Sequence, residues 1–157
     1  MTQAPVVPEV DVRPVDVMSE AALELIAGSE AELASLYAPE VRSAFSPQQL
    51  VDAEVHFVVA FADGRPMACG GFAPCDGFAE LKRMFTRPEA RGRRLAAAVI
   101  AALETEARAR GFPLMRLETG EASPEAIALY TRLGYARRGP FGTYVENGSS
   151  VFMEKAL

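Results

Sequence analysis

Arg91, Arg93 and Arg94 crowd the short stretch Arg91-Gly92-Arg93-Arg94, directly ahead of the apolar run that opens with Leu95-Ala96. Leu95, Val99, Ala102, Leu103 and Ala107 recur on one face, which predicts a helix over Arg91 to Arg110, stopped by Gly111. The arginines then crowd a helix N-terminus. Unpaired amides and the helix dipole already present partial positive charge there, so each exposed cation is disfavoured by roughly 0.3–1 kcal/mol. A bound diphosphate reverses that sign. Gly92 lets the backbone approach phosphate oxygens, and Ala96 keeps the first turn bare. The competing account is a solvated basic helix start, which charge alone does not separate from an anion site.

The elements around this junction follow from pattern. Val10-Asp11-Val12-Arg13 alternates as a half-buried strand does, and Asp16 or Ser19 is placed to cap a helix from Glu20 to Tyr37, with Gly28-Ser29 as a candidate break and Pro39 as its end. Ser46-Pro47 opens a short second helix. His56 to Ala62, the turn Asp63-Gly64 and Arg65 to Phe72 read as a hairpin, and Phe78 to Phe85 as a further strand after the turn at Ala73 to Gly77. Beyond the arginine-led helix come a strand over Pro113 to Glu118, a helix opened by Ser123-Pro124-Glu125 and closed by Gly134, and a terminal strand over Ser150 to Met153 after the Gly-rich segment Gly139 to Gly148. This order predicts a mixed α/β fold with helices on both faces of one sheet.

Bulk properties bound the function. A chain of 157 residues, half of them hydrophobic, suits one domain over residues 1–157. A net charge of -5 argues against nucleic acid or an anionic membrane as the main partner, so any anion site is local. Cys69 and Cys75 show no paired CxxC spacing, so neither a metal site nor a disulfide framework is expected. The first ten residues lack the pattern of an export signal, and no run approaches the roughly 18–20 apolar residues of a membrane span, so a cytoplasmic protein is expected.

The arginine junction resembles the central motif of the GNAT acyltransferase family, Gln/Arg-x-x-Gly-x-Gly/Ala after the fourth strand. Arg91 and Ala96 match it, while Arg94 stands where the family usually has glycine. The resemblance extends from Glu80 to Tyr135, through Glu80-Leu81-Lys82-Arg83-Met84-Phe85-Thr86-Arg87-Pro88, Leu117-Glu118-Thr119, and Ala126-Ile127-Ala128-Leu129-Tyr130 followed by Leu133-Gly134-Tyr135. It implies the GNAT fold: a mostly antiparallel sheet, a splayed parallel pair of central strands, and helices on both faces. It also implies acetyl-CoA as cosubstrate without a metal, an amine acceptor that is a small molecule or peptide, and a possible homodimer.

By the same resemblance, the backbone of Met84, Phe85 and Thr86 holds the pantetheine. Arg91, Gly92, Arg93, Arg94, Leu95 and Ala96 receive the diphosphate, and Ser123 stands where many relatives have a cofactor-touching asparagine. Tyr130 matches the tyrosine that protonates the leaving thiolate, although an aromatic residue in such a helix also suits simple packing. An aliphatic amine is mostly protonated near neutral pH and needs a base. Glu118 and Glu80 occupy the strand positions from which relatives supply one. Each also suits a strand carboxylate paired with Arg116, Lys82 or Arg83. His56 reads as structural and Cys75 as a lone thiol without a catalytic partner.

Two other classes remain open from sequence: a non-catalytic acyl-CoA-binding module, and a domain for another nucleotide, against which the missing P-loop pattern counts. If the diphosphate lies at this junction, Arg91→Glu is expected to weaken CoA binding by about tenfold or more at little cost in stability. Calorimetric titration of the folded variant checks this, and unchanged affinity would place the phosphates elsewhere.

Overall fold

The computed structural model describes residues 10–39 and 46–157; the lead segment 1–9 lies outside them. The chain runs β1 (Val10–Pro14), α1 (Glu20–Leu36), α2 (Pro47–Asp52), β2 (His56–Ala62), β3 (Arg65–Pro74), β4 (Ala79–Thr86), a single 3-10 turn (Pro88–Ala90), α3 (Leu95–Ala109), β5 (Leu114–Gly120), α4 (Pro124–Arg132), β6 (Ala136–Arg138) and β7 (Ser150–Ala156). The described strands form one seven-stranded sheet in the order β1-β2-β3-β4-β5-β7-β6. Every neighbouring pair is antiparallel except β4 and β5.

Local signals account for most boundaries. Ser19 caps α1, its side chain accepting from Ala22 N at 3.3 Å. Ser46 and Gln49 form a reciprocal capping box around Pro47 at the start of α2. Asp63 (φ 51°) and Gly64 (φ 79°) are both left-handed, which suits the twist of the β2–β3 hairpin. The helix expected from Arg91 instead starts at Leu95. Gly92 (φ 83°) and Arg94 (φ 61°) are left-handed, and a right-handed helix cannot extend backwards through them.

Gly28 does not interrupt α1. It permits close approach: a Cβ there would lie 2.9 Å from Cε1 of the Phe85 ring on β4.

The sheet separates two apolar layers. On one face Val99, Ile100 and Leu103 of α3 pack with Ala79, Leu81, Met115 and Leu117 of β4 and β5. On the other, Leu25 and Ile26 of α1 pack with Phe57, Val59, Cys69 and Phe85. Strand alternation then places Glu80 and Lys82 of β4, and Arg116 and Glu118 of β5, on the α1 side. The alternation of β4 breaks at Arg83, which has φ 54° and lies in a register shift against β3 between Cys69 and Gly71. This bulge turns Arg83 to the same side as Lys82, where its Nη2 donates to Glu30 Oε1 of α1 at 2.9 Å.

The bulge lies just beyond the point where the central strands part. β4 and β5 pair only at Ala79↔Met115 and Glu80↔Arg116, after which they diverge. β5 keeps an unbroken antiparallel register with β7, from Leu114↔Ala156 to Gly120↔Ser150. No described helix is long and apolar enough to cross a membrane.

The α1–β4 contact is testable at Gly28. Gly→Ala in an ordinary helix interior stabilises by roughly 0.5–1 kcal/mol. Here the added methyl meets the Phe85 ring, so Gly28→Ala is expected to destabilise by about 1 kcal/mol in urea unfolding. A gain in stability would show that α1 stands farther from β4.

Candidate active site

Where β4 and β5 part, a cleft of about 1360 Å³ opens, walled by both strands and by the starts of α3 and α4 together with the end of α1. Met84, Phe85, Thr86, Arg91, Gly92, Arg94, Leu95, Ala96, Ser123, Glu80, Glu118 and Tyr130 all line it. Arg93 does not, and is exposed.

One end of the cleft is bordered by Arg91, Arg94 and the start of α3. Arg94 is the N-cap of α3 but forms no side-chain cap, and with Leu95 and Ala96 it turns the start of the helix toward the opening. Its left-handed backbone is the conformation glycine adopts most readily, which explains how arginine can stand at the family's glycine position without changing the path of the chain. Arg91 Nε donates to the Thr86 carbonyl at 3.2 Å, while its Nη2 pairs with Glu32 of α1. Across the cleft, Tyr37 and Ser123 share a 2.8 Å hydrogen bond. Gly120 makes room for that contact: a Cβ there would fall 2.1 Å from the Tyr37 hydroxyl oxygen.

Tyr130 stands on the α3 side of the sheet, within that core, and is 6 % exposed. Its ring meets Tyr135 edge-on at 5.8 Å. The Tyr135 hydroxyl donates to buried Glu104 at 2.8 Å, and Lys155 Nζ donates to the same carboxylate at 2.9 Å. The Tyr130 hydroxyl forms no hydrogen bond among the described residues, although the residue lines the cleft. Burial pushes its phenol well above the usual tyrosine range, so it is protonated at neutral pH.

The carboxylates stand on the opposite face. Glu80 Oε2 accepts from Tyr144 at 2.6 Å and pairs with Lys82 Nζ at 2.8 Å, so the strand pairing considered from sequence is realised with Lys82. Lys82 Nζ also donates to the Tyr144 oxygen at 3.0 Å. Burial and the neighbouring Glu80 push the Tyr144 phenol upward. Glu118 Oε2 accepts from the Ser150 hydroxyl at 2.9 Å. Of the other two partners considered for a strand carboxylate, Arg116 donates to Glu154 at 2.8 Å and Arg83 to Glu30 at 2.9 Å.

Tyr144, Ser150 and Tyr37 carry no pattern in the sequence that marks them. Tyr144 reaches the site because the segment between β6 and β7 folds back over the sheet, its ring packed against Phe141 at 5.2 Å and Phe152 at 5.5 Å.

His56 and both cysteines are not among the residues that line the cleft. His56 is depressed by burial and by Arg110, whose Nη2 donates to its Nδ1 at 3.3 Å. Cys69 is buried, with its thiol pushed up to about 12, and burial also raises Cys75. Neither thiol is suited to act as a nucleophile.

Known proteins place this arrangement in a class. Residues 21–135 match the acetyltransferase (GNAT) family. The protein is an acetyl-CoA-dependent N-acetyltransferase, and the chain belongs to the GNAT family. An IAA acetyltransferase from Azospirillum brasilense is 38% identical over 142 residues, covering 89% of this chain and 93% of the relative. A proposed acyl-CoA N-acyltransferase of Klebsiella pneumoniae is 35% identical, with a TM-score of 0.80 over 94% of this chain and 97% of the other. The PaiA N-acetyltransferase of Thermoplasma acidophilum, solved with coenzyme A, shares the fold at a TM-score of 0.76 and 20% identity, covering 95% of this chain and 99% of the other.

The left-handed backbone at Arg94 sets a stability order. Glycine relieves roughly 1 kcal/mol of steric cost there but adds unfolded-state entropy of similar size, whereas a β-branched side chain worsens the clash. Arg94→Gly is therefore expected within about 1 kcal/mol of wild type, and Arg94→Val lower by about 1–2 kcal/mol. Equal unfolding midpoints for Arg and Val would show that this turn is not left-handed in solution.

Proposed function

We propose that the enzyme transfers an acetyl group from acetyl-CoA to a primary amine, small-molecule or peptide, by direct attack in a ternary complex. The observation that carries this reading is the opening between β4 and β5, which joins a buried phenol on one face of the sheet to two carboxylates on the other.

Acetyl-CoA supplies the thioester. Arg91, Arg94 and the first amides of α3 would hold its diphosphate, and the backbone of Met84 to Thr86 would run beside its pantetheine. The residues fit that group: a helix start without a side-chain cap borders the cleft next to a guanidinium.

Glu118 accepts a proton from the ammonium form of the acceptor, leaving a neutral nitrogen able to attack. Glu80, whose Oε2 is engaged by Tyr144 and Lys82, is the second candidate base. The new C–N bond forms as the C–S bond breaks. The nitrogen sheds its second proton to water, and Tyr130 donates one to the departing sulfur and recovers one from solvent, so amide and free thiol leave.

The test uses an amine identified by thiol release from a library. Tyr130→Phe keeps the ring and its packing, and is expected to lower single-turnover rates by roughly 10²–10⁴-fold with acetyl-CoA affinity nearly intact. Wild-type single-turnover rates would remove Tyr130 from the mechanism. CoA binding without thiol release for any amine would instead favour an acyl-CoA-binding module.

A further inference from the structure

We propose that Ser150, held by Asn147, is a positioning residue that fixes the carboxylate of Glu118 for proton acceptance. This rests on the reading of Glu118 as the base.

The argument follows the direction of each hydrogen bond. Asn147 Oδ1 accepts from the backbone amides of Ser149 at 2.9 Å and Ser150 at 2.8 Å. Backbone amides only donate, so the atom facing them is the oxygen, and the side-chain orientation of Asn147 is determined. Its Nδ2 is then directed at Ser150 Oγ, to which it donates at 3.1 Å. Ser150 has one hydroxyl hydrogen. With Oγ accepting from Asn147, that hydrogen goes to Glu118 Oε2, 2.9 Å away.

Strand register makes the contact repeatable. Ser150 lies opposite Gly120, and Glu118 opposite Phe152. Ser150 and Glu118 are therefore diagonal neighbours on one face of the β5–β7 pair, within side-chain reach. Asn147 lies outside the strand, at the turn that delivers the chain into β7. The turn and the carboxylate are thus linked through one hydroxyl of fixed direction.

A donor that always points at Oε2 has two effects. It restricts the rotation of the carboxylate, so the same oxygen is engaged in each turnover. It also favours the ionised carboxylate, the form able to accept the amine proton. Among the described residues, the charged or titratable groups that face Glu118 from the packed elements include Glu80 and Lys82 of β4, Arg116 of its own strand, Glu154 of β7 and Tyr144 of the 139–149 segment. Glu32 of α1 borders the same cleft. Substitution at Ser150 alters none of these groups.

The experiment is the pH dependence of kcat/KM for the full chain, with an accepted amine at saturating acetyl-CoA. In Ser150→Ala the acidic limb is expected to move to higher pH by about one unit, with a smaller change on the plateau. Ser150→Thr keeps the hydroxyl and should restore the limb. Asn147→Ala should move the limb in the same direction by less, and decides the matter from outside the strand if Ser150→Ala folds poorly.

A merely structural Ser150 would lower the melting temperature while leaving the limb in place, and that result overturns the proposal. Glu118→Gln separates the two levels. An inactive Glu118→Gln with an unmoved limb in Ser150→Ala rejects positioning alone, whereas an active Glu118→Gln rejects both the positioning and Glu118 as base.

Discussion

The parting of β4 from β5 is the constraint on which the rest of the site depends. Two parallel strands that pair at Ala79↔Met115 and Glu80↔Arg116 and then separate leave polar backbone edges bordering a cleft, and such edges require partners. A bound molecule with amide groups can supply them as an added strand does. The bulge at Arg83 accompanies the divergence, twisting β4 away while its pairing with β3 continues beyond the register shift.

Helix α1 is tied to the bent strand and the loop after it. Glu30 reaches Arg83 at 2.9 Å, Glu24 reaches Arg87 at 2.7 Å, and Glu32 pairs with Arg91. Pairs as exposed as the last contribute little to stability individually. Spaced along one helix, however, they set its register against the strand, and Gly28 sets how closely it approaches. The end of the same helix carries Tyr37 across to Ser123, so the wall of the cleft and its rim are positioned by one element.

The sheet itself separates the candidate groups. Tyr130 belongs to the α3 layer, where burial keeps its phenol protonated, while Glu80 and Glu118 point into the α1 layer among polar partners. Both layers border the same cleft through the opening between β4 and β5.

Much of this fold was legible in the sequence because local rules decided it. Ser19 and Ser46 marked helix starts, Asp63-Gly64 marked a hairpin, and the apolar spacing of α3 held from Leu95 onward. The short strand β6 escaped notice because three residues carry too little periodicity to read. The candidate site was legible where charge and glycine sit together, at Arg91 to Arg94, and where a family pattern surrounds Tyr130. The placement of Arg93 outside the cleft depends on backbone angles that residue identity does not reveal. Gly28 reads as a helix breaker from propensity alone, and becomes a point of close packing only against Phe85. Tyr144 and Ser150 meet Glu80 and Glu118 from 64 and 32 residues away. By itself, then, the sequence determined the elements and the arginine-rich helix start, because those follow from interactions between near neighbours, while the candidate acid and bases came from the family resemblance. The tertiary structure alone decided which carboxylate is paired with lysine, which is met by a serine hydroxyl, and which face each occupies, because these depend on strand register and the bulge, where one residue of slip exchanges the faces.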